Sequence, residues 1–210
     1  MVRVIRNINF PYTSNTYLIT IENNAQVWLV DAGFTIGVED IIPSEKELMG
    51  VFLTHPHYDH IHGLNTIKMA YPDAQIYCSD PTMKGLYSDK LNLSFYHEQP
   101  IVYEGSNIKV LKEGDVVELN STHSIQIVET PGHHLGAITF ALDNYLFSGD
   151  SFIPGVPVVT KLKGGDKSQN RNSLQRIRSL ISKDTVICPG HQDMWLGSEI
   201  NLSHFPDLCN

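Results

Sequence analysis

Thr54-His55-Pro56-His57-Tyr58-Asp59-His60 brings three imidazoles and a carboxylate together directly after the apolar run Val51-Phe52-Leu53. Histidine nitrogen and aspartate oxygen are borderline ligands that suit Zn²⁺, and also Fe or Mn. Close spacing on a turn sends neighbouring side chains in different directions. His55 and His57 can then grip one ion while Asp59 and His60 grip another. The bland alternative is a polar loop that happens to be rich in histidine, and three later motifs weigh against it. Thr130-Pro131-Gly132-His133, Phe147-Ser148-Gly149-Asp150 and Cys188-Pro189-Gly190-His191 each follow an apolar run and a turn residue. Each delivers one ligand-type side chain to the end of a strand. Loops at one edge of a rigid sheet commonly carry active-site groups.

Outward from these motifs, short β-rich runs bounded by Gly, Asp, Asn and Pro read as strands. They cover 27–30, 51–54, 74–78, 108–111, 116–119, 125–128, 137–142, 145–147 and 186–188. Two segments have helical spacing. Leu64, Ile67 and Tyr71 form one, stopped by Pro72; Leu174, Ile177 and Ile181 form the other, with Asn172 as the expected N-cap. Strands and occasional helices in this order suggest sheets with helices outside. Residues 82–105 are irregular and rich in aromatics (Tyr87, Phe95, Tyr96, Tyr103), as a packed excursion and not a linker.

The chain has 210 residues, 41% of them hydrophobic and 18% charged, which suits one globular domain spanning 1–210. Acidic residues number 23 against 15 Lys+Arg, for a formal charge of −8. That balance argues against nucleic acid or an anionic membrane as a partner. No apolar stretch approaches the ~20 residues that span a bilayer, and the N-terminus lacks a signal-like apolar run. Cys78, Cys188 and Cys209 are far apart and odd in number. Reduced thiols in the cytoplasm fit that pattern better than a disulfide framework.

H-x-H-x-D-H, T-P-G-H, S-G-D and P-G-H, in this order, resemble the metallo-β-lactamase superfamily. The resemblance runs from Asp31 in Leu-Val-Asp-Ala-Gly to His191, most of the chain. It implies an α+β fold, a four-layer αββα sandwich with the metal site at one edge of the two sheets. Carried over motif by motif, His55, His57 and His133 would bind one metal, and Asp59, His60 and His191 a second. Asp150 would bridge them. Asp59 would also be the catalytic residue able to accept a proton. Asp31 matches an aspartate that supports the site without ligating. The implied cofactor is two Zn, with Fe or Mn as alternatives at one or both positions.

The other histidines fit no ligand position. His123 and His204 read as surface or packing residues, and His97 carries no assignment. His62 and His134 adjoin the ligand loops, and family members commonly have other residues there, so both are candidates for the substrate rim or for packing.

Within the superfamily, the chain resembles small hydrolases related to glyoxalase II, the hydroxyacylglutathione hydrolases. Gly164-Gly165-Asp166 before a helix and Glu199 after Pro-Gly-His support this more softly than the ligand motifs do. The expected function is a dinuclear-metal hydrolase using a metal-bound hydroxide on a thioester, ester or lactone carbonyl of a small molecule. The alternatives are a mononuclear-iron sulfur (persulfide) dioxygenase of the same fold and a non-catalytic metal-stabilised binding protein. Glyoxalase II carries an extra helical domain that helps bind glutathione, and only 19 residues follow His191. The thiol portion is then either bound differently or is not glutathione. A homodimer is left open.

Overall fold

A computed structural model describes residues 1–35 and 37–209. Its contacts gather into two compact units, Met1–Val110 and Leu111–Asn210. Each is built on one six-stranded sheet.

The first unit opens with a hairpin, β1 (Val2–Ile8) against β2 (Asn15–Ile21). β3 (Gln26–Val30) pairs antiparallel with β2. From there every pairing is parallel: β3 to β4 (Glu47–Phe52), β4 to β5 (Gln75–Cys78), and β5 to β6 (Ile108–Val110). Parallel neighbours need crossovers. These contain α1 (Tyr58–Ile61) and α2 (Leu64–Ala70) after β4, and α3 (Asp80–Leu86) after β5. Leu64 and Ile67 of α2 pack with Leu18, Leu29, Val51 and Ile76 of the sheet. The alternate strand residues Ile19, Trp28, Val30 and Phe52 are buried as well. Burial on both faces is what parallel strands show, and it explains why 27–30 and 51–53 read as unbroken apolar runs.

The second unit orders its strands β7 (Val116–Glu118), β8 (Ser124–Glu129), β9 (Ile138–Leu142), β10 (Tyr145–Gly149), β11 (Val186–Pro189) and β12 (Trp195–Leu196). β10 and β11 are parallel, and all other pairs are antiparallel. Two reversals make β8 point the same way as β10. The chain therefore leaves β8, β10 and β11 at the same edge of this sheet. α4 (Lys167–Leu180) buries Leu174 and Ile177 against Leu146, Phe152, Ile187 and Phe205.

The tail of this unit consists of 3-10 turns, and it is tied to residues 152–159. Phe205 stacks on Phe152 with ring centroids 4.3 Å apart. Asp207 Oδ2 accepts the Val158 amide at 2.8 Å. His204 O accepts the Gly155 amide at 3.1 Å.

The expected strands are present, with ends shifted by a few residues, and so is the helix stopped by Pro72. One expectation is corrected. Asp166, not Asn172, caps α4, and its carboxylate accepts the Gln169 amide at 2.8 Å. The helix begins earlier than its apolar periodicity because its first turn, Lys167-Ser168-Gln169, has no apolar residue. β1, β2, α1, α3 and β12 have no counterpart among the expected elements. β1 is an edge strand with two arginines and an asparagine, and β12 is two residues long. Residues 82–105 start inside α3 and include a 3-10 turn at Ser94–Tyr96. No helix among the described residues is long and apolar enough to cross a membrane.

Cys78 and Cys188 are buried and Cys209 is exposed. Burial pushes the Cys78 thiol from 9.0 up to about 12, and Cys188 up as well. A thiol reagent should therefore titrate one cysteine in the native protein and all three in guanidinium. Cys78 holds its proton more tightly when folded, so its contribution to stability is complete below about pH 9 and is lost as the pH climbs towards 12.

Candidate metal centre

In the first unit the site is built around Asp31, the residue after β3. Its backbone is left-handed, φ 57°, which turns the carboxylate back under the exit of β4. There it accepts the Thr54 amide and the Thr54 hydroxyl, each at 2.8 Å. His60 Nδ1 lies 2.8 Å from the same carboxylate. Asp31 is 2% exposed, and a buried carboxylate is tolerable only with such donors. With Nδ1–H given to Asp31, the Nε2 of His60 carries the lone pair, and Asp59 Oδ2 stands 3.7 Å from it. His55 Nδ1 lies 3.0 Å from the Thr54 hydroxyl. The His55 ring centroid is 4.6 Å from that of His57 and 4.2 Å from that of His60. All three imidazoles are buried.

Backbone packing holds the loop. Ala32 donates to His60 O at 2.8 Å, and Gly63 donates to Ala32 O at 2.7 Å. A side chain at Gly33 would collide with the Asp59 carbonyl, which also accepts the Ser14 hydroxyl at 2.5 Å. The Tyr58 amide donates to Asn92 O at 2.9 Å, so residues 82–105 brace the ligand loop as well. Tyr58 packs its ring on His97 (3.8 Å) and edge-on to Tyr12 (5.1 Å). Burial and the neighbouring Asp59 carboxylate raise its phenol.

In the second unit His133, Asp150 and His191 follow the co-directional strands β8, β10 and β11. Asp150 Oδ2 lies 3.6 Å from Nε2 of His133 and 3.6 Å from Nε2 of His191. The register shifts between Phe147 and Gly149, which has φ 50°, and the bulge aims Asp150 off the strand. His133 Nδ1 lies 2.9 Å from the Val159 carbonyl, which can only accept, so His133 carries its proton there. Gly132, at φ 145°, has no room for a side chain against Asn170.

The remaining expected positions sort out by their contacts. His134 is buried, and its Nδ1 accepts the Gly136 amide at 3.0 Å. Burial, then His133, push it down to about 4, so it is a neutral turn-packing residue. His62 is partly buried beside the Tyr12 ring at 5.6 Å, and burial lowers its pKa. His123 pairs with Asp143 (2.9 Å), and His204 accepts the Asn201 amide (3.1 Å), as surface and packing residues would. Sequence reasoning missed Thr54, Ser14, Asn92 and the Val159 carbonyl. Thr54 could have been found, since it immediately precedes His55. The others act through atoms of the backbone or through contacts far away in sequence.

Residues 9–191 match the family model described as the metallo-β-lactamase superfamily. The hydroxyacylglutathione hydrolase of Citrobacter koseri is 30% identical over 95% of this chain and 71% of its own length. A probable polyketide biosynthesis zinc-dependent hydrolase of Bacillus velezensis is 25% identical over 90% of this chain and 78% of its own. The crystal structure of the B3 metallo-β-lactamase BLEG-1 superposes with a TM-score of 0.86 over the whole of both chains, at 22% identity. The likeness of BLEG-1 to this chain is one of fold.

Replacing Asp31 by alanine strands three buried donors. Denaturant unfolding of the metal-free protein should show a loss of about 2–4 kcal/mol, with a smaller loss for Asp31→Asn.

Proposed function

The chain belongs to the metallo-β-lactamase superfamily, and on that premise we propose that it is a dinuclear-metal hydrolase of thioester, ester or lactone carbonyls, foremost a glyoxalase II-like thioesterase. The observation that carries this reading is the Asp150 carboxylate oxygen standing 3.6 Å from the Nε2 of two histidines. A carboxylate placed so is suited to share a cation.

The donor set fits metal. Nδ1 of His55, His60 and His133 is each held by an oxygen, from Thr54, Asp31 and Val159. This is the outer support that metal-ligating histidines ordinarily have, and it presents Nε2. His55, His57 and His133 would hold one ion, Asp59, His60 and His191 the other, with Asp150 shared. Nitrogen and carboxylate ligands suit zinc, in line with the name of the B. velezensis relative. When bound, such ions supply Lewis acidity and lower the pKa of water to about 7.

The protein's own groups do the rest. Asp31 keeps His60 in one tautomer. Val159 does the same for His133. Asp59, 16% exposed, is placed to take a proton on its carboxylate. A thiolate leaves readily, so no protein acid is needed on the leaving side. Three unpaired thiols fit a reducing cytoplasm.

Elemental analysis of protein purified without added metal should find two equivalents of zinc, with thioester hydrolysis lost on chelation and restored by zinc. Asp150→Ala should lose at least one equivalent and drop kcat/KM by more than the ~100-fold typical of residues that only orient a ligand. One equivalent of iron per chain, or two retained metals in the variant, overturns the assignment.

A further inference from the structure

We propose that residues 153–159 form an apolar subsite that seats an uncharged, short aliphatic acyl group beside the reacting carbonyl; this rests on the hydrolase reading above. A cavity of about 290 Å³ lies in the second unit. Ile153, Val156, Pro157, Val158 and Val159 line one part of it. His133, Asp150 and His191 line another, and the one further lining residue is the uncharged Gln192. No lysine or arginine lines it. The motifs and the apolar wall thus meet in one space.

Three physical points set what this space accepts. First, size: at about 290 Å³ the space is at the lower end of the usual range of roughly 300 to 1,000 Å³ for ligand sites, which suits a small group. The acyl half is the part that fits. Second, charge: residues 153–159 offer no cation, so an anionic group carried along that wall, away from the His133, Asp150 and His191 end, would lose its hydration against apolar side chains without a partner. Third, rigidity: the wall is pinned at both chain directions. Val159 O takes the His133 Nδ1 proton, Asp207 takes the Val158 amide, His204 O takes the Gly155 amide, and Ile153 bridges Val156. Val159 remains 52% exposed, apolar surface that an aliphatic chain would cover. The same hydrogen bond that orients His133 therefore sets the position of the wall.

The test is kcat/KM on thioesters that share one small thiol and differ in the acyl group: acetyl, butanoyl, hexanoyl and succinyl. Turnover should rise roughly fourfold per methylene from acetyl to butanoyl. Succinyl should lie at least ~100-fold below butanoyl, the scale on which a site rejects a group it leaves unpaired. Val156→Lys, which touches no donor, should raise the succinyl-to-butanoyl ratio at least ~10-fold with metal content unchanged. Val158→Ala, a second and milder change, should move the preference towards hexanoyl. Ratios within one variant cancel any difference in active fraction. Equal use of butanoyl and succinyl by the native protein, or a ratio unmoved in metal-loaded Val156→Lys, overturns the subsite and leaves the hydrolase reading standing. A protein with two metals that cleaves none of the panel overturns both.

Discussion

Much of the first unit depends on one buried carboxylate. Asp31 directly follows β3, yet it is bonded to the backbone and side chain of Thr54 after β4 and to His60 in α1. Its own amide donates to Phe52 O at 2.9 Å. The left-handed backbone costs a non-glycine residue about 1–2 kcal/mol, least for Asp and Asn. Three hydrogen bonds to a charged acceptor outweigh that cost. The result is a loop whose His55 and His60 side chains are held in fixed directions by the protein's own hydrogen bonds.

The second unit reaches the same end by a different route. There the strand directions do the positioning. β8, β10 and β11 run the same way, so three separate turns release His133, Asp150 and His191 at one edge. The anchor for His133 is a main-chain carbonyl, not an acid. That anchor comes from a segment which also bounds the neighbouring cavity. Ligand geometry and cavity shape are therefore coupled in this unit. In the first unit the anchoring carboxylate belongs to a strand end alone.

Legibility in the sequence followed the strength of the local signal. Histidine-rich turns after apolar runs are conspicuous, because burying so many imidazoles is otherwise costly. The central strands were readable because they are buried on both faces. β1 was not, since its arginines and Asn7 break the apolar run at a sheet edge. The start of α4 is hidden for a related reason: its first turn is polar, so apolar periodicity begins only at Leu174, which points to Asn172 as the cap where Asp166 supplies it. The contacts that tune the site were invisible. Val159 acts through a carbonyl that every residue has, and Asn92 and Ser14 meet the ligand loop only after the chain has folded.

The ties from Phe205, His204 and Asp207 to residues 152–159 bear on how this protein can change over evolutionary time. The tail has no motif and would ordinarily be free to drift. Here a substitution at Asp207 would shift a valine amide, then a carbonyl, then an imidazole, without touching any recognisable motif. Descendants of this chain have a quiet path to new substrates, through a segment that sequence comparison would pass over as filler.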